Sequence, residues 1–157
     1  MAEPAPTPNT DLYERDFYAW TQDQAAKLRA RASFDNRGDV DWDHAAEEIE
    51  GVGASEKREI RSRLKTLLVH LLKWRFQPGK RKGGWEATIG EQRERIAMVI
   101  EDSPSLRSFP GEALASAYVL ARRKAIEETE LPEEAFPLAC PFTIDQILDE
   151  TFYPEAD

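Results

Sequence analysis

Leu67-Leu68-Val69-His70-Leu71-Leu72-Lys73-Trp74 is the stretch whose reading decides the fold. Its apolar side chains do not keep to one helical face. A helix apolar on more than one face needs protein on several sides, so neighbouring segments are expected to cover it. Upstream, Ile60 and Leu64 continue the stripe at spacings of three and four. Ser55, with Glu56 in the first turn, reads as the N-cap, and Pro78-Gly79 as the stop. These some 22 residues would reach roughly 33 Å. The expected fold is all-α: a compact five- to six-helix bundle around this central long helix.

The same periodicity places the other elements. Tyr13, Phe17, Trp20, Gln24 and Leu28 predict a first helix from Thr10 or Asp11 to Ala32. Asp41 or Asp43 caps a short second helix that ends at Val52, where Gly51 and Gly53 supply left-handed conformations. After the basic, Gly-rich connector 77–84, a helix from Trp85 to Glu101 folds back antiparallel, burying Trp85, Ile89, Ile96, Val99 and Ile100. Gly111 to Glu128 is an Ala-rich helix anchored by Leu114 and Tyr118. Leu131 to Pro141, with three prolines, is an irregular strap. Thr143 and Gln146 fit a capping box opening a last short helix through Glu150. Residues 1–9, with three prolines, read as a flexible tail and 10–157 as a single helical domain.

The composition limits the function classes. The 157 residues include four Trp and seven Phe, area enough for one core, so a wholly disordered chain is excluded. No run approaches the roughly 18 apolar residues of a membrane span. The start has neither a basic nor an apolar signal region, and the single Cys140 excludes an internal disulfide. Both point to the bacterial cytosol. Net charge of −9 argues against binding nucleic acid or membrane with the whole surface. The charge is nevertheless segregated. Residues 54–93 hold 11 basic and 4 acidic side chains, +7. Residues 1–53 hold 5 and 12, −7, and residues 94–157 hold 5 and 14, −9.

From Asp11 to Pro154 the chain resembles the bacterial family catalogued as domain of unknown function 29. The resemblance rests on Asp16-Phe17-Tyr18-Ala19-Trp20, Asp41-Trp42, Glu47-Glu48-Ile49-Glu50 and His70-Leu71-Leu72-Lys73-Trp74. It continues through Gln77-Pro78, Trp85-Glu86-Ala87-Thr88-Ile89, Gln92-Arg93, Asp102-Ser103-Pro104-Ser105-Leu106, Cys140-Pro141 and Phe152-Tyr153-Pro154. It implies a small helical bacterial protein and supplies no catalytic residue.

Three constellations could carry chemistry. His44, Glu47 and Glu48 share a helix face, and with His70 they could bind a transition metal such as zinc, iron or manganese. Only two His exist, so a symmetric di-metal site of the bundle type cannot be built. Gln24, His70 and Gln92 sit on or beside apolar stripes, and as a polar core network they must bond one another or nearby backbone. Lys73, Arg75, Lys80, Arg81 and Lys82, interleaved with Trp74, Phe76 and Trp85, suit contact with anions or nucleic acid. Gly79, Gly83 and Gly84 make no P-loop, since no Gly-Lys-Ser/Thr follows. Cys140 reads as a buried, inert thiol, and Ser103 and Ser105 as turn residues.

No motif specifies a reaction. The reading therefore favours a non-enzymatic module binding a protein partner, a second copy included, through aromatics such as Tyr18, Trp42, Trp74 and Phe152-Tyr153. A small metal-dependent enzyme using Glu47, Glu48 and His70, with His44 as a fourth group, is the alternative. Nucleic-acid binding through residues 73–82 is the third reading.

Overall fold

The computed structural model of the protein describes residues 8–156, with side chains from Asp11 onward. The expected tail at residues 1–9 falls outside them up to residue 7, and Pro8 and Asn9 already belong to the first helix. The described residues form six α-helices: α1 (Pro8–Arg15), α2 (Phe17–Phe34), α3 (Trp42–Phe76), α4 (Gly83–Asp102), α5 (Phe109–Thr129) and α6 (Ile144–Leu148). Among the described residues there is no strand, and no helix is long and apolar enough to cross a membrane. Contacts group the chain into two compact units, Met1–Arg58 with Val99–Arg107 and Glu59–Met98 with Ser108–Asp157.

In the first unit the predicted first helix is two helices, broken at Asp16. Its backbone is extended (φ −156°) and its carboxylate accepts the Ala19 N–H at 2.9 Å, so it caps α2. The same carboxylate accepts the Ser105 N–H at 2.7 Å and hydroxyl at 2.8 Å, while the Tyr18 N–H donates to the Ser103 hydroxyl at 2.9 Å. The expected aromatic stripe is only partly covered: Tyr13, Phe17 and Trp20 pack edge-on or stacked, and Tyr13 is 48% exposed. The buried face of α2 is instead small: Thr21, Ala25 and Ala32.

Those small residues explain the second departure. The two helices predicted on either side of Gly51 and Gly53 are one continuous 35-residue helix, α3. Asp41 begins it, accepting the His44 N–H at 3.2 Å. Ser55 caps nothing; its hydroxyl bonds the Gly51 carbonyl one turn back at 3.1 Å. Gly53 is buried, and a Cβ built there would overlap the Thr21 hydroxyl. The glycine therefore lets α2 and this part of α3 approach closely, which is a different use of a missing side chain from ending a helix. The Arg29–Glu50 ion pair and the Arg31 guanidinium over the Trp42 ring, at 5.1 Å, tie the same two helices.

In the second unit the expected spine is enclosed. Ile60, Leu64, Leu67, Leu68, Leu71 and Leu72 have no exposed surface, and at about 25 cal/mol per Å² each contributes roughly 2 kcal/mol by leaving water. The α3–α4 turn runs through a 3-10 turn at Pro78–Lys80. Beyond it α4 runs antiparallel, with Lys73 over Trp85 near the turn and Arg63 reaching Gln92 farther along. Ile89 and Ile96 of α4 are buried, whereas Trp85 is only half-buried, as are Val99 and Ile100 at the end of α4, which belong to the first unit, fewer than expected. Ala113, Ala117, Ala121 and Ala125 form a buried stripe on α5, with Tyr118 beside it.

The strap is irregular, as its prolines dictate, but firmly held. Phe136 is buried, the Tyr118 hydroxyl donates to the Pro137 carbonyl at 2.5 Å, and Arg122 donates to the Phe136 and Glu133 carbonyls at 3.1 and 2.9 Å. The Thr143–Gln146 capping box forms with both of its hydrogen bonds. Arg93, 4% exposed, donates to the carbonyls of Ile147 at 2.8 Å, Phe152 at 2.7 Å and, more distantly, Glu150, and so fastens the C-terminal segment.

Candidate functional site: a basic cleft at the α3–α4 turn

The three predicted constellations fare differently. The metal cluster does not assemble: among the described residues no group of three or more His, Cys, Asp or Glu converges to hold an ion. His44 is exposed at the start of α3, its Nδ1 2.5 Å from an Asp41 oxygen. This hydrogen bond raises the His44 pKa above the ordinary imidazole value and lowers that of Asp41. Glu47 and Glu48 are exposed in the next turn, and Glu47 acts on His44 and Arg29 through its field. His70 lies several turns along α3, half-buried, with Nδ1 against the Thr66 carbonyl at 2.9 Å. The helical spacing that groups His44 with Glu47 and Glu48 is real, but it leaves His70 on another part of the helix.

The polar core network is likewise not a single network. Gln24 donates to its neighbour Asp23 at 3.2 Å, and His70 is satisfied within its own helix. Gln92, 6% exposed, accepts a long 3.5 Å contact from Arg63, which is held by Glu59 at 2.9 Å. The buried polar residue with most at stake is Arg93, which periodicity alone could not single out, because a cation on a helix face ordinarily points to water.

The basic constellation does come together. Lys73, Lys80, Arg81 and Lys82 line an open cavity of about 550 Å³ with Gln77, Trp85 and, from α5, Glu128. Two of the cations are fixed. Lys73 pairs with Glu128 at 3.2 Å and lies 4.8 Å from the Trp85 ring centre. Arg81 donates to the Trp74 carbonyl at 3.0 Å with its guanidinium 4.6 Å from that ring. Lys80 and Lys82 are exposed, with no ion pair among the described residues. Arg75, the fifth predicted cation, lines a different cavity beside Phe142 and Phe152. Glu128 and Gln77 were not anticipated: Glu128 lies far along the chain, and nothing local marks it.

The aromatics expected to anchor a partner are already engaged. Lys57 covers the Tyr18 ring, Arg31 covers Trp42, and Trp74 packs against both Arg81 and Tyr153. Phe152 packs edge-on to Phe142. Cys140 is half-buried, and burial pushes its thiol pKa up, away from the thiolate a nucleophile needs.

An all-helical chain whose turn between α3 and α4 gathers four cations and Trp85 around one open cleft is the class that this geometry defines. The chain belongs to the family described as domain of unknown function DUF29, which matches residues 12–153. It is similar to an α-helical protein of unknown function from Rhodospirillum rubrum, seen in a crystal structure. The two are 28% identical with a TM-score of 0.66, over 89% of this chain and 90% of that one. No curated protein matches it.

Proposed function

We propose that this protein is a non-enzymatic binding module of the bacterial cytosol that holds an acidic segment of a partner protein in the α3–α4 cleft. The observation that carries this reading is the pair of uncommitted lysines, Lys80 and Lys82, beside the pinned cations Lys73 and Arg81. Fixed cations cost little ordering on binding, and solvated ones attract a carboxylate from a distance. Base stacking needs an open aromatic face, but Lys73 and Arg81 lie over the Trp85 and Trp74 rings. Discrete carboxylates on a peptide fit this layout better than nucleic acid.

Calorimetry with a hexaglutamate peptide, against a thymidine oligonucleotide of equal charge, tests it. The peptide should bind in the micromolar range and weaken about tenfold or more in the Lys80→Ala/Lys82→Ala variant and with added salt. No peptide binding at about 1 mM, or binding indifferent to both lysines, sinks the proposal. Tighter binding of the oligonucleotide replaces it with the nucleic-acid reading.

A further inference from the structure

A second cavity, of about 450 Å³, lies between α5 and the strap, lined by Val119, Arg122, Arg123, Ile126, Glu133 and Leu138. It shares no residue with the basic cleft. Leu138 is 84% exposed and Val119 48%. A lone exposed leucine means little. Here, however, the strap cannot turn Leu138 inward. Phe136 is buried just before it, the Pro137 carbonyl is held by the Tyr118 hydroxyl, and Arg122 grips the strap by two carbonyls. Leu138 is thus displayed by a rigid support across from the aliphatic side chains of α5.

The rim carries both signs of charge. Arg122 is spent on the strap and its side chain is 13% exposed. Arg123 is exposed with no ion pair among the described residues. The Glu133 carboxylate is 68% exposed and makes only a long 3.4 Å contact with Arg122. A partner of a single charge sign would meet one attraction and one repulsion there. A patch with an apolar centre and one open charge of each sign complements itself across a two-fold axis, where each residue meets its counterpart reciprocally. We infer that this face docks a second copy of the chain as a symmetric dimer, with Val119, Ile126 and Leu138 at its centre and Arg123 of each copy facing Glu133 of the other.

The symmetry supplies a strict test. Sedimentation velocity on the full chain, from about 1 µM to about 1 mM, should show a dimer. Arg123→Glu opposes two carboxylates at both contacts, and Glu133→Arg opposes two guanidiniums, so each variant alone should dissociate about tenfold more readily or worse. Mixed in equal amounts, the two restore both attractive contacts and should form the dimer again. Leu138→Asp should be monomeric, alone and when added to both members of the mixture. Circular dichroism establishes that each variant is folded; should Glu133→Arg fail to fold, Arg123→Glu and Leu138→Asp decide the matter. A wild-type chain that stays monomeric throughout overturns the inference. So does a dimer indifferent to Arg123→Glu and Leu138→Asp, or a mixture of folded variants that does not reassociate.

Discussion

Gly51 and Gly53 lie in the same turn of α3, yet a methyl group added to each meets different surroundings. Nothing lies within 4 Å of a Cβ at Gly51, so Gly51→Ala should stabilise the protein by about 0.5–1 kcal/mol, the helix-interior penalty of glycine. At Gly53 the methyl would strike Thr21, and overpacking of that kind costs about 1–3 kcal/mol. Urea titration of the two variants should therefore give midpoints on opposite sides of the wild type. The sequence shows two glycines and not which of them faces another helix, so the pair reads as a helix end. His44 supports a prediction in pH. Its pKa is raised by Asp41, so its share of the pairing is complete below about 6.5 and is lost as pH rises through the raised value. The Asp41 pKa is lowered, so its share is complete above about 3.9 and is lost as pH falls through the depressed value. The pairing at the start of α3 is thus fully present between about pH 4 and 6.5. A proton NMR titration should place His44 above the ordinary imidazole value and lower it toward that value in Asp41→Asn, with Glu47 and Asp43 still acting on it; a His44 unmoved by that substitution would refute the pairing.

Local signals and remote ones part company among the elements. The capping box of α6, the proline-rich strap and the Ala stripe of α5 were all legible, because each is written within a few residues of where it acts. The break at Asp16 was not. A carboxylate inside an apolar-periodic run reads as an exposed helix residue until Ser105, remote in sequence, is seen to bind it. Arg93 is the strongest such case. It looks like one more surface cation of α4, but it satisfies three carbonyls of the C-terminal segment. Arg93→Met should lower stability by about 3 kcal/mol, because the removed hydrogen bonds are charge-assisted and the Ile147 carbonyl is left buried. The amides of Phe152 and its neighbours should exchange faster with solvent in the same variant. Arg95→Met, on the exposed face, should change stability by no more than about 0.5 kcal/mol.

For the molecule as a whole, the all-α class and the enclosed Leu67–Leu72 spine followed from the pattern of apolar residues, because burial of apolar surface is the dominant favourable term in folding. The candidate site was half legible. The charge segregation located Lys80, Arg81 and Lys82, but the wall supplied by Glu128 depends on how α5 packs, which no local pattern encodes. The first unit shows a further side of this dependence on remote residues, since it is made from two separated stretches of chain. During synthesis the start of α2 leaves the ribosome well before Ser103 and Ser105 have been translated. Until they arrive, the Tyr18 amide and the free oxygen of Asp16 have only water to bond, and the start of α2 lacks one of the fastenings that hold it in the finished protein. Release of residues 103–105 is therefore the moment at which the start of α2 gains its last partners.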